Sequence, residues 1–591
     1  GFVSEDAEFA RMVADEGMVF LGPDHEAMGL LGDKIAAKDL AERSGVPILP
    51  WSKREIGDLA DARSVAEEIG YPVIVKAAHA GGGRGIRFVL TPDELEAQLT
   101  SAREETLRIT GDEIVFIERL VRTGRHLEVQ CITDRYGNVH TFGVRDCSVQ
   151  RRNQKIIEET PPPGMSAEEI AEIEAAAARL MSAAGYESAG TVEFLYDLER
   201  SEFYFMEVNT RLQVEHPITE ILYGVDLVKG QIDVAFGNEL SFPPTQPRGV
   251  VLEARLNAED PDRDFTPSPG FVRFFRAAAG PGVRVDSGIA QGSTIPSLFD
   301  SMVAKVIAHG TDRADAIARL RRALRETRIA IDGGTTNKAF LLSLLEQPEV
   351  TGGTVHTKYV EALLEREDAR TRGDVAVALV AAAVEAYNRH EAEELLVFRR
   401  QISNYGYPRS VPDSGALEVT FGHAGNTYGF SVRRLGVTSY ELTLDGRTIA
   451  AEFTTAHGES QLTYADRRYS IQAIERGDAL QVEVDGLPVV LEQESGGAVK
   501  APSPAVVLGL AVQIGDQVEK GDRLLSLEAM KMEMIIEAPA AGVVNEIAVT
   551  PGQQVSAGEV LVSLETASEE EETGEQTSER VELVTVPDDA E

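Results

Sequence analysis

Two short stretches decide the fold of the largest part of this chain: residues 191–195, Thr-Val-Glu-Phe-Leu, and residues 204–211, Tyr-Phe-Met-Glu-Val-Asn-Thr-Arg. In both, polar residues alternate with apolar ones, which is the period of a β-strand with one buried face. Glu207, Asn209 and Arg211 therefore share a face of the second strand, and Glu193 lies on the polar face of the first. Oxygen ligands from two adjacent strands suit Mg²⁺. Either strand taken alone could equally be a charge ladder at a sheet edge.

A glycine-rich segment lies upstream of these strands. Lys76 ends a predicted strand over residues 72–76 and is followed by Ala-Ala-His-Ala-Gly-Gly-Gly-Arg-Gly. Backbone N–H groups approach phosphate oxygens closely where no Cβ intrudes, and lysine supplies positive charge. A glycine loop alone is weak evidence, and this one is not a Walker sequence. Beside two acidic strands, however, it predicts a site for ATP with Mg²⁺ bridging the phosphates.

The sequence around these motifs indicates an α/β fold. From residue 1 to about 366, short apolar runs alternate with helical patterns, including a helix predicted over residues 166–184 that opens with a Ser-x-x-Glu capping box. The pattern then changes. Residues 373–394 predict one helix, and residues 414–493 predict a small antiparallel barrel or sandwich because short alternating segments are separated by Asp-Gly turns.

An internal repeat follows. Residues 501–528 align without a gap with residues 538–565, and two copies of one β unit predict a quasi-twofold all-β domain. Between the copies lies the sequence Glu-Ala-Met-Lys-Met-Glu, which places Lys531 at the hairpin that joins the two halves. A lysine in a turn is usually only a solvated residue. The symmetry and the two flanking methionines argue against that interpretation for Lys531.

Charge and cysteine content exclude several classes of protein. The chain has 97 acidic and 57 basic residues, a net charge of −40, which argues against nucleic-acid binding and against docking on anionic membranes. No apolar run is long enough to span a bilayer. Two cysteines, Cys131 and Cys147, cannot build a disulfide framework, so we expect a reducing compartment. We expect the bacterial cytoplasm. The mitochondrial matrix stays open as an alternative, since the chain opens with Gly and we expect an incomplete N-terminus.

Residues 145–155, Arg-Asp-Cys-Ser-Val-Gln-Arg-Arg-Asn-Gln-Lys, and residues 206–216, Met-Glu-Val-Asn-Thr-Arg-Leu-Gln-Val-Glu-His, resemble biotin carboxylase, an ATP-grasp ligase. The Ala-Met-Lys-Met sequence resembles the attachment motif of the biotinyl (biotin carboxyl carrier) domain. The helix and barrel between them resemble the joining domain in α subunits of propionyl- and methylcrotonyl-CoA carboxylases. The resemblance implies an ATP-grasp biotin carboxylase, then a helix plus small antiparallel β-barrel, then a C-terminal all-β biotinyl domain.

The resemblance also implies domain bounds. These are a remnant of the N-terminal carboxylase subdomain with a linker helix (1–47), an ATP-grasp lid (48–121), an ATP-grasp C-terminal subdomain (122–366), a helix-plus-barrel docking domain (367–493), a linker (494–500), the carrier domain (501–567) and an acidic disordered tail (568–591).

Site residues are implied position by position. For ATP they are Lys34, Lys76, Gly82, Gly83, Glu118, Arg119, Leu120, Val121, His126 and Asn153. For bicarbonate they are Lys155, Arg211, Gln213, Val214 and Glu215, and for Mg²⁺ or Mn²⁺ they are Glu193, Glu207 and Asn209. The implied catalytic residues are Glu215, Arg211, Lys155 and Arg255, the last meeting biotin, and the biotin itself is attached to Lys531.

The implied function is that of the α subunit of an acyl-CoA carboxylase. It would carboxylate biotin on Lys531, using ATP and bicarbonate, for transfer to acetyl-, propionyl- or methylcrotonyl-CoA by a separate carboxyltransferase β subunit. Biotin protein ligase is an implied partner, and several α and β copies are expected in a hetero-oligomer. A transferase domain does not fit between residues 367 and 494, which disfavours pyruvate carboxylase. The alternative is a truncated, catalytically silent biotin carrier and docking subunit.

Overall fold

The computed structural model describes residues 3–79, 85–242, 246–297, 299–332, 334–366, 374–405, 407, 415–456, 459–476, 479–493, 498–501, 505–529, 532–539, 541–556, 559–565, 581 and 583–584. The helices are α1 (Ala7–Asp15), α2 (His25–Gly32), α3 (Lys34–Arg43), α4 (Leu59–Ile69), α5 (Leu95–Thr110), α6 (Ala167–Ala183), α7 (His216–Tyr223), α8 (Leu227–Ala235), α9 (Arg313–Glu326), α10 (Lys338–Leu344), α11 (Pro348–Gly352), α12 (Tyr359–Leu364) and α13 (Val375–Tyr405).

The strands of the first part of the chain are β1 (Val73–Ala77), β2 (Arg87–Val89), β3 (Val115–Arg119), β4 (Gly124–Thr133), β5 (Val139–Arg151), β6 (Gln154–Thr160), β7 (Ser188–Asp197), β8 (Glu202–Asn209), β9 (Val250–Asn257), β10 (Glu259–Asp260), β11 (Thr266–Pro267), β12 (Gly270–Arg276), β13 (Val283–Ser287), β14 (Thr294–Ile295), β15 (Met302–Gly310) and β16 (Arg328–Ile331).

The later strands are β17 (Leu417–His423), β18 (Asn426–Arg434), β19 (Ser439–Leu444), β20 (Arg447–Ala456), β21 (Glu459–Tyr464), β22 (Arg467–Arg476), β23 (Ala479–Val484), β24 (Leu487–Gln493), β25 (Ala498–Lys500), β26 (Ala505–Leu510), β27 (Gln517–Val518), β28 (Arg523–Ala529), β29 (Met532–Glu537), β30 (Gly542–Ile547), β31 (Gln554–Val555) and β32 (Val560–Glu565). Among the described residues, no helix combines the length and apolar character needed to cross a bilayer.

An eight-stranded antiparallel sheet organises the carboxylase-like part. Its strand order is β13-β15-β9-β6-β5-β4-β7-β8, and a separate three-stranded sheet, β2-β1-β3, stands beside it with α4 and α5 packed on it. Helix α6 begins at the predicted capping box, because the Glu169 amide donates to Ser166 Oγ (3.2 Å) and the Ser166 amide donates to Glu169 Oε2 (2.8 Å). The strand predicted over residues 72–76 is confirmed as β1, and the strand predicted over residues 204–211 is confirmed as β8 up to Asn209, while Arg211 lies beyond the end of that strand.

The middle part is a closed barrel of eight strands, β17 to β24 in chain order, wrapped around the first half of α13. Residues 377–384 of that helix are buried in the core that the barrel strands form. The Asp-Gly turns are where they were predicted, and Asp445 and Gly446 both have positive φ (51° and 74°), as a type I′ hairpin turn requires. The helix prediction ended too early, at residue 394, because helix-forming residues continue to a Gly-Tyr-Pro stop at 406–408.

The barrel is fastened to the carboxylase-like part through a buried ion pair. Lys338 Nζ, on α10, lies 2.6 Å from Glu483 Oε2, on β23, and the two side chains are 1% and 6% exposed. Nearby, Gln472 Nε2 donates to the Ile329 carbonyl at 3.0 Å. Since both charges are desolvated and each is the other's partner, this ion pair fixes the position of the barrel on the carboxylase-like part.

Replacing Lys338 by Met is expected to destabilise this contact by about 3–5 kcal/mol, because it leaves the Glu483 carboxylate buried without its cation. Urea denaturation followed by circular dichroism gives the loss, and hydrogen exchange in β23 and β24 locates it. The double variant Lys338→Met/Glu483→Leu should recover most of the stability. A single variant as stable as the parent would contradict the role assigned to the pair.

The carrier part confirms the predicted quasi-twofold. Strand β26 begins at residue 505 and β30 at 542, and β27 begins at 517 and β31 at 554, so equivalent strands are 542 − 505 = 554 − 517 = 37 residues apart. The two sheets, β25-β32-β30-β27 and β29-β28-β26-β31, each take strands from both copies. Their facing apolar residues form one core.

Two predictions about flanking segments are corrected. The linker predicted over residues 494–500 is wrong for residues 498–500, which form β25 and pair with β32, because Val499 is buried in the carrier core. The disordered tail predicted over residues 568–591 is wrong for Val581, Leu583 and Val584, which contact the barrel. The other residues of that linker and tail lie outside the described ones.

Candidate active site

A cleft of about 540 Å³ lies between the three-stranded sheet and the polar face of the eight-stranded sheet. Most of the predicted site residues line it: Lys34, Lys76, Arg119, Leu120, Val121, His126, Asn153, Lys155, Glu193, Glu207, Asn209, Arg211, Gln213, Val214, Glu215 and Arg255. Gly82, Gly83 and Lys531 lie outside the described residues.

The two acidic strands meet as predicted. Glu193 of β7 is directly opposite Glu207 of β8 in the register. The Glu193 carboxylate accepts hydrogen bonds from Asn209 Nδ2 (2.7 Å) and Gln213 Nε2 (2.9 Å), and Lys34 Nζ lies 3.1 Å from Glu207 Oε2. Carboxylate oxygens from neighbouring positions therefore face one cleft beside a lysine, and this set of hard oxygen donors fits Mg²⁺ or Mn²⁺.

His126 is fixed by Glu193. Its Nε2 lies 2.9 Å from Glu193 Oε2, and both side chains are buried. Burial lowers the pKa of His126, but the adjacent carboxylate outweighs it, so the pKa of this imidazole is raised. The pKa of Glu193 is well below its ordinary value, because Lys155 and His126 outweigh the burial that opposes ionisation. Glu193 is therefore an anion throughout the neutral range, as a metal ligand must be.

Lys155 is the hub of the charged groups. Its Nζ donates to Glu215 Oε1 at 2.7 Å, to Glu193 Oε1 at 3.3 Å and to Glu128 at close range. Burial opposes the charge on this ammonium group, yet the three carboxylates raise the pKa of Lys155 well above its ordinary value. Lys155 therefore provides a permanent cation in the wall of the cleft.

Glu215 is positioned by the start of α7 and by two cations. Its Oε1 accepts from Lys155, and its Oε2 accepts from Arg255 Nη2 at 3.0 Å. Burial raises its pKa, but Lys155 and Arg255 outweigh burial and the neighbouring Glu128, so the pKa of Glu215 is lowered. An ionised, oriented carboxylate at the wall of a cleft can accept a proton from a bound acid.

Glu118 is the one described site residue whose side chain does not line the cleft. Its carboxylate is 1% exposed and pairs with Lys38 Nζ and Lys76 Nζ, the latter at 2.7 Å. Burial raises its pKa, but the two lysines outweigh this and the pKa of Glu118 is lowered. Glu118 therefore orients Lys76 from behind, while Arg119, Leu120 and Val121 form the wall of the cleft.

Several residues that shape the site were not predicted from the sequence. Glu5 accepts from Arg211 Nε (2.8 Å) and from the Thr210 amide (3.1 Å). Glu128 pairs with Lys155 and with Arg145, which is fully buried. The alternation of His126, Glu128 and Gln130 along β4 is a sequence signal that could have identified Glu128. Glu5 carries no comparable signal.

A buried pair of carboxyl groups stands behind Arg255. Glu158 of β6 lies opposite Glu253 of β9 and accepts from Arg255 Nε at 2.5 Å. Among the described residues, neither carboxylate oxygen of Glu253 has a hydrogen-bond partner. Burial raises the pKa of Glu158 to about 7 and that of Glu253 well above its ordinary value. At neutral pH this pair therefore retains a proton, and the charge that Glu158 presents to Arg255 changes with pH.

The variant Glu158→Gln is expected to lose a titration that the parent shows at about pH 7. Because the folded-state pKa is raised, the stabilising contribution of this group is complete below its ordinary pKa and is lost as pH rises through about 7. As the pH rises from 5 to 8, the urea concentration at the unfolding midpoint should therefore fall for the parent relative to the variant. Urea titrations at each pH measure this, and parallel pH profiles for the two proteins would contradict it.

Comparisons with known proteins agree with this geometry. Residues 33–242 match the family described as carbamoyl-phosphate synthase L chain, ATP binding domain. Residues 253–362 match the biotin carboxylase C-terminal domain, residues 1–28 match the biotin carboxylase, N-terminal domain, and residues 497–564 match the family described as biotin-requiring enzyme.

Similar proteins include biotin carboxylase 1 of Bacillus subtilis, 44% identical over 363 residues, which are 61% of this chain and 80% of that protein. The mitochondrial methylcrotonoyl-CoA carboxylase subunit alpha of Mus musculus is 35% identical over 566 residues, 91% of this chain and 78% of the relative. Among solved structures, the biotin carboxylase domain of Hydrogenobacter thermophilus 2-oxoglutarate carboxylase, in complex with MgADP, ADP and bicarbonate, has a TM-score of 0.59 at 37% identity. It covers 61% of this chain and 80% of that one.

Proposed function

Because this chain belongs to the biotin-dependent carboxylases, and joins a biotin carboxylase of the ATP-grasp ligase type to a biotin carrier domain, we propose that it is the α subunit of an acyl-CoA carboxylase. The observation that carries the proposal is a single alignment, over 91% of the chain, with a relative named as an alpha subunit of this kind. The match therefore includes the barrel as well as the two domains that carry the chemistry.

The first step of the proposed reaction uses the ionised Glu215. This carboxylate takes the proton of bicarbonate, and a bicarbonate oxygen attacks the γ-phosphorus of ATP. The new P–O bond forms as the bond to ADP breaks, which gives carboxyphosphate and ADP. Lys34 and Lys76 neutralise the charge that spreads over the phosphate oxygens, and Lys155 holds the bicarbonate in place.

Carboxyphosphate then breaks to CO₂ and phosphate beside Arg255. When bound, biotin on Lys531 supplies the ureido nitrogen that takes up the CO₂, and the released phosphate accepts the proton that this nitrogen gives up. Arg255 lies next to Glu215 and places a guanidinium where negative charge develops on the acceptor. Glu193, Glu207 and Asn209 would hold Mg²⁺ or Mn²⁺, which supplies charge neutralisation at the phosphates.

The proposed partners follow from the same reasoning. Biotin protein ligase would attach biotin to Lys531, and a separate carboxyltransferase β subunit would transfer the carboxyl group to acetyl-, propionyl- or methylcrotonyl-CoA in a hetero-oligomer. The barrel, seated on the carboxylase and followed at once by the carrier, is the proposed docking domain for that β subunit. The bacterial relatives favour the cytoplasm as the compartment.

The test has two arms. The purified biotinylated chain is first assayed for ADP release with Mg²⁺, bicarbonate and free biotin, where bicarbonate dependence is expected; no turnover would favour a silent carrier. The chain is then mixed with a candidate β subunit and labelled bicarbonate, and acetyl-, propionyl- and methylcrotonyl-CoA are compared as acceptors, with pyruvate as the control. Label in one acyl-CoA supports the proposal, and label in pyruvate alone would contradict it.

A further inference from the structure

The C-terminal segment of the chain is seated on the barrel. The Val581 amide donates to Tyr428 Oη at 3.1 Å, the Val584 amide donates to Tyr464 Oη at 2.6 Å, and Tyr464 Oη donates to the Val584 carbonyl at 3.2 Å. Val581 and Leu583 are half-buried against the core that the barrel forms with α13. The contact thus combines apolar packing with backbone hydrogen bonds to two buried tyrosines.

Both tyrosines lie at the same end of the barrel. Tyr428 is near the start of β18 and Tyr464 is the last residue of β21. Since the strands follow one another in antiparallel order, even-numbered strands start at the end where odd-numbered strands finish. The turn at Asp485 and Gly486 is at this end too, and a Cβ on Gly486 would lie 3.5 Å from Arg325 Cα of the carboxylase. The segment therefore covers the barrel end that faces the carboxylase.

The carrier domain leaves the barrel at the opposite end. Strand β24 starts at the turn near the carboxylase and runs away from it to Gln493, and the first carrier strand begins at Ala498. Five Cα–Cα steps reach at most about 17 Å. The pairing of Ala498 with Ser563 places the two ends of the carrier side by side. Both carrier termini are therefore held near the barrel end that is remote from the carboxylase.

We propose that Val581, Leu583 and Val584 form a second anchor, which returns the chain from the carrier to the barrel end that faces the carboxylase. The carrier is then attached to this chain at two points instead of one. The sixteen steps from Glu565 to Val581 reach at most about 55 Å, and a ten-residue barrel strand is about 33 Å long. The connecting chain is therefore long enough to reach the other end of the barrel, but little of its length is left over.

The consequence of two anchors is a smaller volume for the carrier to explore. A tether raises the effective concentration of the tethered group at sites within reach and lowers it to almost nothing beyond. With the anchor seated, the carrier stays within the volume that its two attachment points to this chain allow. With the anchor released, the carrier reaches as far as its N-terminal connection alone allows.

Distances between spin labels test this in the full chain. Val437→Cys on the barrel (92% exposed) and Lys520→Cys on the carrier (exposed) take the labels, while Cys131 and Cys147 are fully buried. Leu583→Asp places a charge in the packed contact, and its matched control is Val584→Asp, whose side chain is 60% exposed. We expect a broader distance distribution for Leu583→Asp, and for a chain ending at Ala567, than for the parent and the control.

A peptide of residues 578–591 gives the second measurement. We expect it to bind the chain that ends at Ala567, with fluorescence anisotropy as the readout, and to bind about tenfold more weakly after Tyr464→Phe, which removes the hydroxyl that makes two hydrogen bonds. Unchanged distances in Leu583→Asp, or no effect of Tyr464→Phe, would overturn the anchor. A dipolar signal between singly labelled copies would show that the segment seats on a neighbour, which also overturns it. Neither measurement needs ATP or acyl-CoA, so each is independent of the proposed function.

Discussion

Replacing Glu215 by Gln is expected to lower bicarbonate-dependent ATP cleavage by about 10²–10⁴-fold, the contribution typical of a general base. The amide keeps the shape of the side chain and an oxygen for Lys155 or Arg255, but it cannot take the bicarbonate proton. The loss should therefore appear in kcat, while the KM for ATP changes little. ADP release, measured with and without bicarbonate in the presence of Mg²⁺ and free biotin, gives both quantities.

The matched control is Glu16→Gln, an exposed glutamate at the end of α1, which should leave the rate unchanged. Thermal unfolding of both variants separates a chemical defect from a folding defect, because Glu215 is buried between two cations. A Glu215→Gln protein that unfolds like the parent and turns over within about tenfold of it would remove Glu215 from the role of base, since one tenfold is only about 1.4 kcal/mol of barrier.

The variant Lys531→Arg is expected to abolish carboxyl transfer to the protein itself. Arginine keeps the positive charge, but its guanidinium stays protonated and cannot form the amide that attaches biotin. The variant should show no streptavidin-detectable biotin, and ATP-dependent incorporation of labelled bicarbonate into the chain should fall to background. Cleavage of ATP with free biotin should be unchanged, because free biotin takes the place of the biotin that Lys531 would carry.

Lys520→Arg is the control for this experiment, since Lys520 is an exposed lysine of the same carrier domain. It should be biotinylated and carboxylated like the parent. Biotin found on the Lys531→Arg chain would place the attachment elsewhere, and a loss in both variants would point to a carrier that no longer folds.

Much of the fold could be predicted because the signals are local. Alternation along β8 placed Glu207 and Asn209 on one face, and the Asp-Gly pairs marked the barrel turns. Equivalent strands of the two carrier halves begin 37 residues apart, which is the offset of the sequence repeat. The errors arise where the structure of a segment depends on residues that are far away in the sequence. Val499 forms a strand because the carrier core takes it up, and Val581 is held by a tyrosine 153 residues away. The composition of a short segment does not show which distant residues that segment will contact.

The residues of the site also divide into those that could be predicted from the sequence and those that could not. The residues that line the cleft were assigned through the resemblance to biotin carboxylase and do converge on one cleft. Their supports were not found, because each support is far away along the chain. Glu5 is 206 residues from Arg211, Lys38 is 80 residues from Glu118, and Glu158 is 97 residues from Arg255. The period of a strand or helix predicts only which residues a few positions apart share a face, so it cannot predict these pairs.

The helix threaded through the barrel has a consequence for biosynthesis. Residues 377–384 are buried by strands that are translated later, and β24, which closes the barrel, ends at Gln493, 493 − 384 = 109 residues further on. At about 5–20 residues per second, this apolar stretch stays exposed for roughly 5–20 s until the barrel strands that bury it have been translated. The long sequence separation of these contacts also makes barrel closure slow. Nascent chains of this protein should therefore depend on chaperones at this stage, and a pause in translation before β24 should increase aggregation.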